Sequence, residues 1–300
     1  MSLPKLIELS HAQRDRLAFI ELRLWFVGEI QRQDLVNRFG IQSAAATRDM
    51  TLYREMAPAN IGYDARSKRY VLADTFEPIF DYPTPRVLTW LTQGFGDGEP
   101  APLKAWVSCE TPSGIAQPAL ATLAEVTRAI HHKAALRITY HSVSSGQSVR
   151  EIVPFALIDT GLRWHVRAFD RKSQEFRDFV ITRIQSPELL PREAIQAHER
   201  PDQDIQWTRI IELELIPHPD RPYPEITLMD YGMTDGVLKL RTRAATAGYM
   251  LRKWSVDCSP DHCLQGPEYR LWLRDYLTLY GVENAVLAPG FKGFDSRTQI

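Results

Sequence analysis

Between Leu136 and Ile184 the chain alternates apolar and polar residues in three short runs, and no other pattern limits its fold as tightly. Ile138 and Tyr140, then Trp164, Val166 and Ala168, then Phe179 and Ile181 fall at a spacing of two, separated by Gly146, Gly161 and a charged turn at 170–175. A period of two marks strands, because successive side chains leave a pleated backbone on opposite faces. Short antiparallel strands joined by such turns curl into a barrel. The opposite parity carries Arg163, His165, Arg167 and Phe169, with Arg177 and Arg183 at the two ends of the third run. From Arg128 to Gln185 there are ten Lys and Arg against five Asp and Glu, whereas the whole chain has a formal charge of −1, so the surplus is local. A cationic face carrying Tyr140, His165 and Phe169 fits a phosphate-bearing ligand, since guanidinium forks pair with phosphate oxygens and rings stack. A solvated wall with no ligand accounts for the composition equally well.

The first 80 residues follow a different period. Leu17, Ile20, Leu24 and Val27 share one face of a helix expected over 15–27, with Arg14, Arg16, Glu21 and Arg23 around it. Gln31 to Arg38 forms a second helix around Leu35 and Val36, and Phe39-Gly40-Ile41 breaks the period. Ser43 is placed to cap a third helix running to about Met56. Its stripe Ala46, Met50, Tyr53 and Ala57 faces inward and leaves Ser43, Ala44, Ala45, Thr47 and Arg48 on the other side. Small residues with one Thr and one Arg suit a helix entering a DNA major groove. Ile61-Gly62-Tyr63 and Arg69-Tyr70-Val71-Leu72 then flank a turn, a hairpin with Arg66, Lys68 and Arg69 near its tip. This is the pattern of a winged helix-turn-helix, with Arg54 added to the candidate DNA contacts. Residues 31–72 hold seven basic and four acidic side chains, which puts positive charge where phosphates would lie. A three-helix bundle with no DNA role would show the same helices.

Prolines and glycines from Ala73 to Pro102 read as a connector with one short helix at 86–92, followed by a strand at 104–109, a turn at 112–118 and a helix at 118–133. After Ile184, the stretch 185–206 with Pro187, Pro191 and Pro201 reads as a second linker. Alternation at Ile211, Leu213 and Leu215 begins a series of strands and helices, with a helix near Tyr231, a strand at 237–243, a helix at 244–254, a strand about Val256, a helix at 267–280 and a last strand at 285–287. The expected architecture is α+β and multidomain: residues 1–80, a connector 81–117, a middle module 118–190 and a C-terminal α+β sandwich at 205–290. Residues 186–300 hold thirteen basic and seventeen acidic side chains, which suits a subunit contact better than DNA. Tyr269, Trp272, Tyr276 and Tyr280 stripe the expected last helix and read first as core.

The middle module resembles the WYL-domain family of bacterial regulators. The resemblance runs through Ile138-x-Tyr140, Arg150-x-x-Val153-Pro154-Phe155, Gly161-x-x-Trp164-His165-Val166, Ala168-Phe169-Asp170 and Arg177-x-Phe179-x-x-x-Arg183-Ile184. The name-giving tripeptide stands here as Trp164-His165-Val166, with histidine for tyrosine, and Val180 and Thr182 replace the usual Arg and Asp. Ala46-Thr47-Arg48-Asp49-Met50 is similar to the recognition helices of winged domains linked to WYL modules, and Leu251-Arg252-x-Trp254 with Asp230-Tyr231-Gly232 resembles their C-terminal extension, the WCX domain. The chain order looks most like anti-phage defence regulators of the BrxR/CapW type. The resemblance implies an Sm- or SH3-like WYL barrel that senses a nucleic acid or nucleotide. The implied ligand contacts are Tyr140, His141, Ser142, Arg150, His165, Arg167, Phe169, Arg177 and Arg183. It also implies a C-terminal domain contributing to a homodimer, an inverted-repeat double-stranded DNA operator and repression of a phage-defence operon.

Two other functions are weighed beside this one. A regulator of the same architecture could instead activate transcription when single-stranded DNA fills the barrel. A nucleotide-processing enzyme would use His131, His132, His141 or His165 as acid-base groups, but the chain has no Gly-rich phosphate loop, no H-E-x-x-H and no G-x-S-x-G. No motif asks for a cofactor. Asp257, Cys258, His262 and Cys263 are the right types for zinc at the wrong spacing. Three cysteines without C-x-x-C and no run of about 20 apolar residues lead to an expectation of a reducing, cytoplasmic setting with no membrane.

Overall fold

A computed structural model describes residues 9–93 and 115–294. The expected strand at 104–109 and Cys109 lie outside them. The chain divides into two compact units, 1–154 with 180–193, and 155–179 with 194–300.

The first unit opens with α1 (His11–Val27), β1 (Glu29–Ile30), α2 (Arg32–Phe39) and α3 (Ser43–Met56), followed by β2 (Ile61–Asp64) and β3 (Arg69–Leu72). The hairpin pairs Ile61 with Leu72 and Asp64 with Arg69, and β1 adds to its outer side, giving the order β1-β3-β2. Leu17, Ile20, Leu24, Leu35, Ala46, Met50, Tyr53 and Ile61 form the core. This is the winged helix-turn-helix read from the periodicity. α1 ends at Gly28, whose φ of 89° lies in the left-handed region that glycine tolerates. Unlike the one-sided helix expected, α1 also buries Phe19, Glu21, Leu22 and Phe26: Phe19 packs its ring on Phe39, Glu21 meets Tyr53, and α5 (Leu120–His132) lies against the helix. Thr127 Oγ1 donates to the Phe26 carbonyl at 2.9 Å and Arg128 Nη1 to the Trp25 carbonyl at 2.6 Å. The connector helix α4 spans Thr84–Gln93.

β4 (Ala135–Ser142) follows α5 and pairs antiparallel with β5 (Gly146–Asp159), Leu136 opposite Ile152 and Ser142 opposite Gly146. Its other edge pairs with β8 (Ile184–Leu190), with a bulge between Arg137 and Thr139. The expected linker therefore begins as a strand. Pro187 is tolerated there because β8 ends the sheet and owes no hydrogen bond on its outer side.

In the second unit β6 (Trp164–Asp170) and β7 (Glu175–Val180) follow β5. The strand order is β7-β6-β5-β4-β8. It has two ends, so a closed Sm- or SH3-like barrel is not seen. α6 (Ile205–Thr208) leads into β9 (Ile210–Pro217), and a four-stranded sheet in the order β10-β9-β12-β11 follows, built with β10 (Leu238–Arg243), β11 (Val256–Asp257) and β12 (Leu271–Leu273). α7 (Pro224–Asp230) and α8 (Ala244–Lys253) complete it. Leu213, Leu215, Ala247, Leu251, Val256, Leu271 and Leu273 make the core. At Gly248 a Cβ would meet the Asn284 carbonyl oxygen at 1.9 Å, so α8 approaches the backbone at Asn284 as only glycine allows.

The helix expected over 267–280 is absent. Leu271 and Leu273 alternate inward on β12, between β9 and β11, and only 276–279 turns, as a 3₁₀ helix. Four aromatics at helical spacing coincide with a strand followed by a turn. The expected final strand at 285–287 is likewise a 3₁₀ helix, Glu283–Leu287. No helix among the described residues is long and apolar enough to cross a membrane.

Candidate nucleic-acid interface

α3 has two unlike sides. Ala46, Asp49, Met50 and Tyr53 are buried, while Ser43, Ala44, Thr47, Arg48 and Arg54 are exposed and Ala45 is half-buried. Ser43 is the first helical residue instead of the cap; Gln42, at φ −70° and ψ 148°, occupies the cap position. Its side chain makes no capping bond. The first turn therefore keeps amide hydrogens outside the helix ladder, the end of a helix that favours anions.

The buried side is held by charge as well as packing. Arg16 of α1 reaches Asp49 with Nε–Oδ2 at 2.6 Å and Nη2–Oδ1 at 3.4 Å. Tyr53 donates to Glu21 Oε2 at 2.8 Å, and the Glu21 carboxylate also accepts from the backbone N–H groups of Ile79 and Phe80. Burial pushes the Glu21 carboxyl above its ordinary value against those hydrogen bonds. Asn60 joins the network, donating to Tyr53 Oη at 3.2 Å and to the Glu77 carbonyl at 2.6 Å. Orientation of α3 is thereby fixed from α1 and from the segment that leaves the wing. On the exposed side, Thr47 Oγ1 donates to the Ser43 carbonyl at 2.9 Å and accepts from Arg32 Nη1 at 3.3 Å.

At the hairpin tip Asp64 accepts from the Arg66 N–H at 2.9 Å and from Ser67 Oγ at 2.6 Å, bonds that lower its carboxyl pKa, that from Ser67 most. Arg66 and Lys68 project into solvent. Arg69 does not join them: it is half-buried and bonded to Glu29 of β1, so it ties the wing to its edge strand.

The residues expected to hold a ligand are differently placed. In the first unit Tyr140 is buried and its hydroxyl accepts from the Val180 N–H at 3.2 Å. His141 Nε2 lies 2.9 Å from Gln185 Oε1, the Ser142 hydroxyl accepts from the Ser144 N–H at 3.3 Å, and Arg150 Nε donates to Ser148 at 3.1 Å. Arg183 is half-buried. In the second unit every residue from His165 to Asp170 is buried, both parities alike, so β6 has no solvent face. His165 packs its ring 5.2 Å from Tyr249, and Phe169 packs against Phe176 and His198.

Arg167 is fully committed. Its Nε and Nη2 donate to the two Asp204 oxygens at 2.8 and 3.0 Å, and Nη1 donates to Asp178 at 3.1 Å. Burial works against its charge, and the bonds to Asp204 with the charge of Asp178 outweigh it, holding the guanidinium pKa above its ordinary value. Tyr249 donates to the other Asp178 oxygen at 3.0 Å, and Asp204 caps α6 by accepting from the Trp207 N–H. Arg177 is exposed and bonded to Glu175 and Ser173. The cationic face expected on β6 is therefore an interior, and an anion reaching Arg167 would have to displace two carboxylates.

Among the described residues no group of three His, Cys, Asp or Glu is arranged to hold a metal. Asp257 instead pairs with the buried His218, Nε2–Oδ2 3.2 Å.

An exposed helix of this kind, anchored from behind and flanked by a basic hairpin tip, defines a winged-helix transcriptional regulator. Three family models cover most of the described chain: the BrxR transcriptional regulator winged helix-turn-helix domain matches residues 12–93, the WYL domain 121–189, and the BrxR transcriptional regulator C-terminal dimerization domain 210–279. The DNA-binding transcriptional repressor CapW of Stenotrophomonas maltophilia is 33% identical over 254 residues, 82% of this chain and 84% of that one. CapW of Escherichia coli (strain KTE188) is 32% identical over 271 residues, 85% and 86% of the two chains. A solved structure, the proteasome accessory factor B/C of Arthrobacter aurescens, is 17% identical with a TM-score of 0.25, covering 81% of this chain and 46% of that one; a likeness so loose carries no weight. The chain belongs to the BrxR/CapW family of WYL-domain transcriptional regulators.

Proposed function

We propose that this chain is a homodimeric, sequence-specific DNA-binding repressor that reads an inverted repeat of double-stranded DNA with α3 and grips the flanking phosphates with its wing. One observation carries the reading. α3 leaves Ser43, Ala44, Thr47 and Arg48 in solvent at the end that keeps unbonded amides, while Asp49 and Tyr53 lock the opposite side. Arg48 would fork onto a guanine edge and Thr47 meet a thymine methyl, with Arg66 and Lys68 at phosphates and Arg54 further along the helix. The named relatives are repressors, which favours repression over activation.

The controlled genes, in this reading, are a phage-defence operon, and a nucleic acid or nucleotide at the WYL module modulates the grip. Its candidate contacts are His141, Ser142, Arg150 and Arg183 in the first unit and Arg177 in the second; Arg167 becomes available only if Asp204 and Asp178 release it. Two of the histidines considered for catalysis make local contacts within their own units. His165 packs beside Tyr249 and His141 bonds Gln185.

A footprint of the purified protein on its own promoter tests the proposal. Two protected half-sites are expected, their centres about 34 Å or a multiple of that apart, the spacing of successive major grooves. Protection without such symmetry, or none, would overturn it.

A further inference from the structure

The segment matched by the dimerisation-domain model, residues 210–279, has a helix whose amphipathic order is inverted. α7 turns Thr227 inward and keeps Leu228 against the core, yet it exposes Ile226 by 44% and Met229 by 75%, one turn apart on its outer side. Tyr223, which opens the helix, is 66% exposed, and Tyr231, just past its end, is 40% exposed. Isolated apolar residues on a surface are ordinary, but four large ones on one seven-residue helix and its flanks form a patch of the kind that marks an interface. Tyr223 stands at φ 63° and ψ 57°, a backbone region that costs a bulky side chain energy and holds the ring out at the head of the patch.

We propose that this α7 face, centred on Ile226 and Met229, is the surface on which a second copy of the chain docks. The inference rests on the dimeric reading given above and adds to it the place of contact. Its rim selects the occupant. Asp230 and Arg270 stand there with 3.8 Å between their charged groups, and Glu225 is exposed beside them. A rim carrying both signs matches its own image under a two-fold axis, where Asp230 of each copy can meet Arg270 of the other. Nucleic acid fits poorly, since residues 186–300 carry thirteen basic and seventeen acidic side chains. Leu277, 56% exposed in the same domain, stands on the 3₁₀ turn after β12 instead of on α7 and serves as the control.

Sedimentation velocity over a concentration series is the test, run on the full chain, Ile226→Asp/Met229→Asp and Leu277→Asp. The parent and Leu277→Asp should sediment at twice the chain mass, and the double variant should shift its dissociation constant by at least ~100-fold or run as a single chain. A folded double variant that still dimerises like the parent overturns the surface assignment and leaves the dimer standing. A parent that sediments as one chain overturns the dimer itself. Should the double variant fail to fold, Met229→Cys with Cys263→Ser decides. Oxidation should give a covalent dimer that Cys263→Ser alone does not give, and its absence overturns the surface.

Discussion

α3 carries Arg48 and β6 carries Arg167, each among small and apolar residues at regular spacing, and the two arginines end in opposite environments. α3 has neighbours on one side only, so its periodicity separates a packed stripe from an exposed one, and Arg48 stands in solvent. β6 is covered on both faces, so its period of two separates nothing, and Arg167 is drawn into Asp204 and Asp178. Periodicity reports which residues share a face. Whether that face meets water depends on what the rest of the chain lays over it.

The largest effect expected from this contrast is on stability. Arg167→Ala strands two buried carboxylates and should lower unfolding free energy by about 3–5 kcal/mol in urea titrations. A change within a few tenths would mean that β6 keeps a wet face and that Arg167 is free for a ligand. A smaller loss, about 2 kcal/mol, is expected for Asp49→Ala, which removes the partner of a less buried Arg16. Its operator affinity should fall together with its stability, since the same ion pair orients α3. Unchanged stability would show that packing alone fixes the helix.

A subtler effect concerns pH. Burial holds the Glu21 carboxyl above its ordinary value of 4.5, so the folded chain grips that proton more tightly than the unfolded one. The stability this supplies is complete below pH 4.5 and is lost as pH rises through the raised value. Glu21→Gln cannot titrate. The stability difference between variant and parent should therefore change across that window in denaturant unfolding at stepped pH. A constant difference would place Glu21 in contact with water.

Much of the head was legible because its signals are local. Leu17, Ile20 and Leu24 mark a helix face, Gly28 and Gly40 stop two helices, and the hairpin is bounded by its own turn. The anchors behind α3 were less so: Arg16 and Asp49 lie 33 positions apart, and only folding brings them together. Asp204, the main partner of Arg167, sat in a stretch whose prolines read as a linker. The aromatic stripe from Tyr269 to Tyr280 misled for a related reason. Pairing of β12 between β9 and β11 outweighs a helical spacing that four residues happen to satisfy. Arg69 looked like a wing contact because nothing in its neighbours announces Glu29, 40 positions earlier.

The central claim is that the exposed side of α3 reads sequence, and competition binding of Arg48→Ala to operator and to scrambled duplex tests it most directly, with Lys68→Ala alongside. Arg48→Ala should lose ~1–3 kcal/mol of preference for operator while keeping its affinity for scrambled DNA. Lys68→Ala should weaken both duplexes alike and reduce the salt slope by about one. Full operator preference in Arg48→Ala would contradict the account.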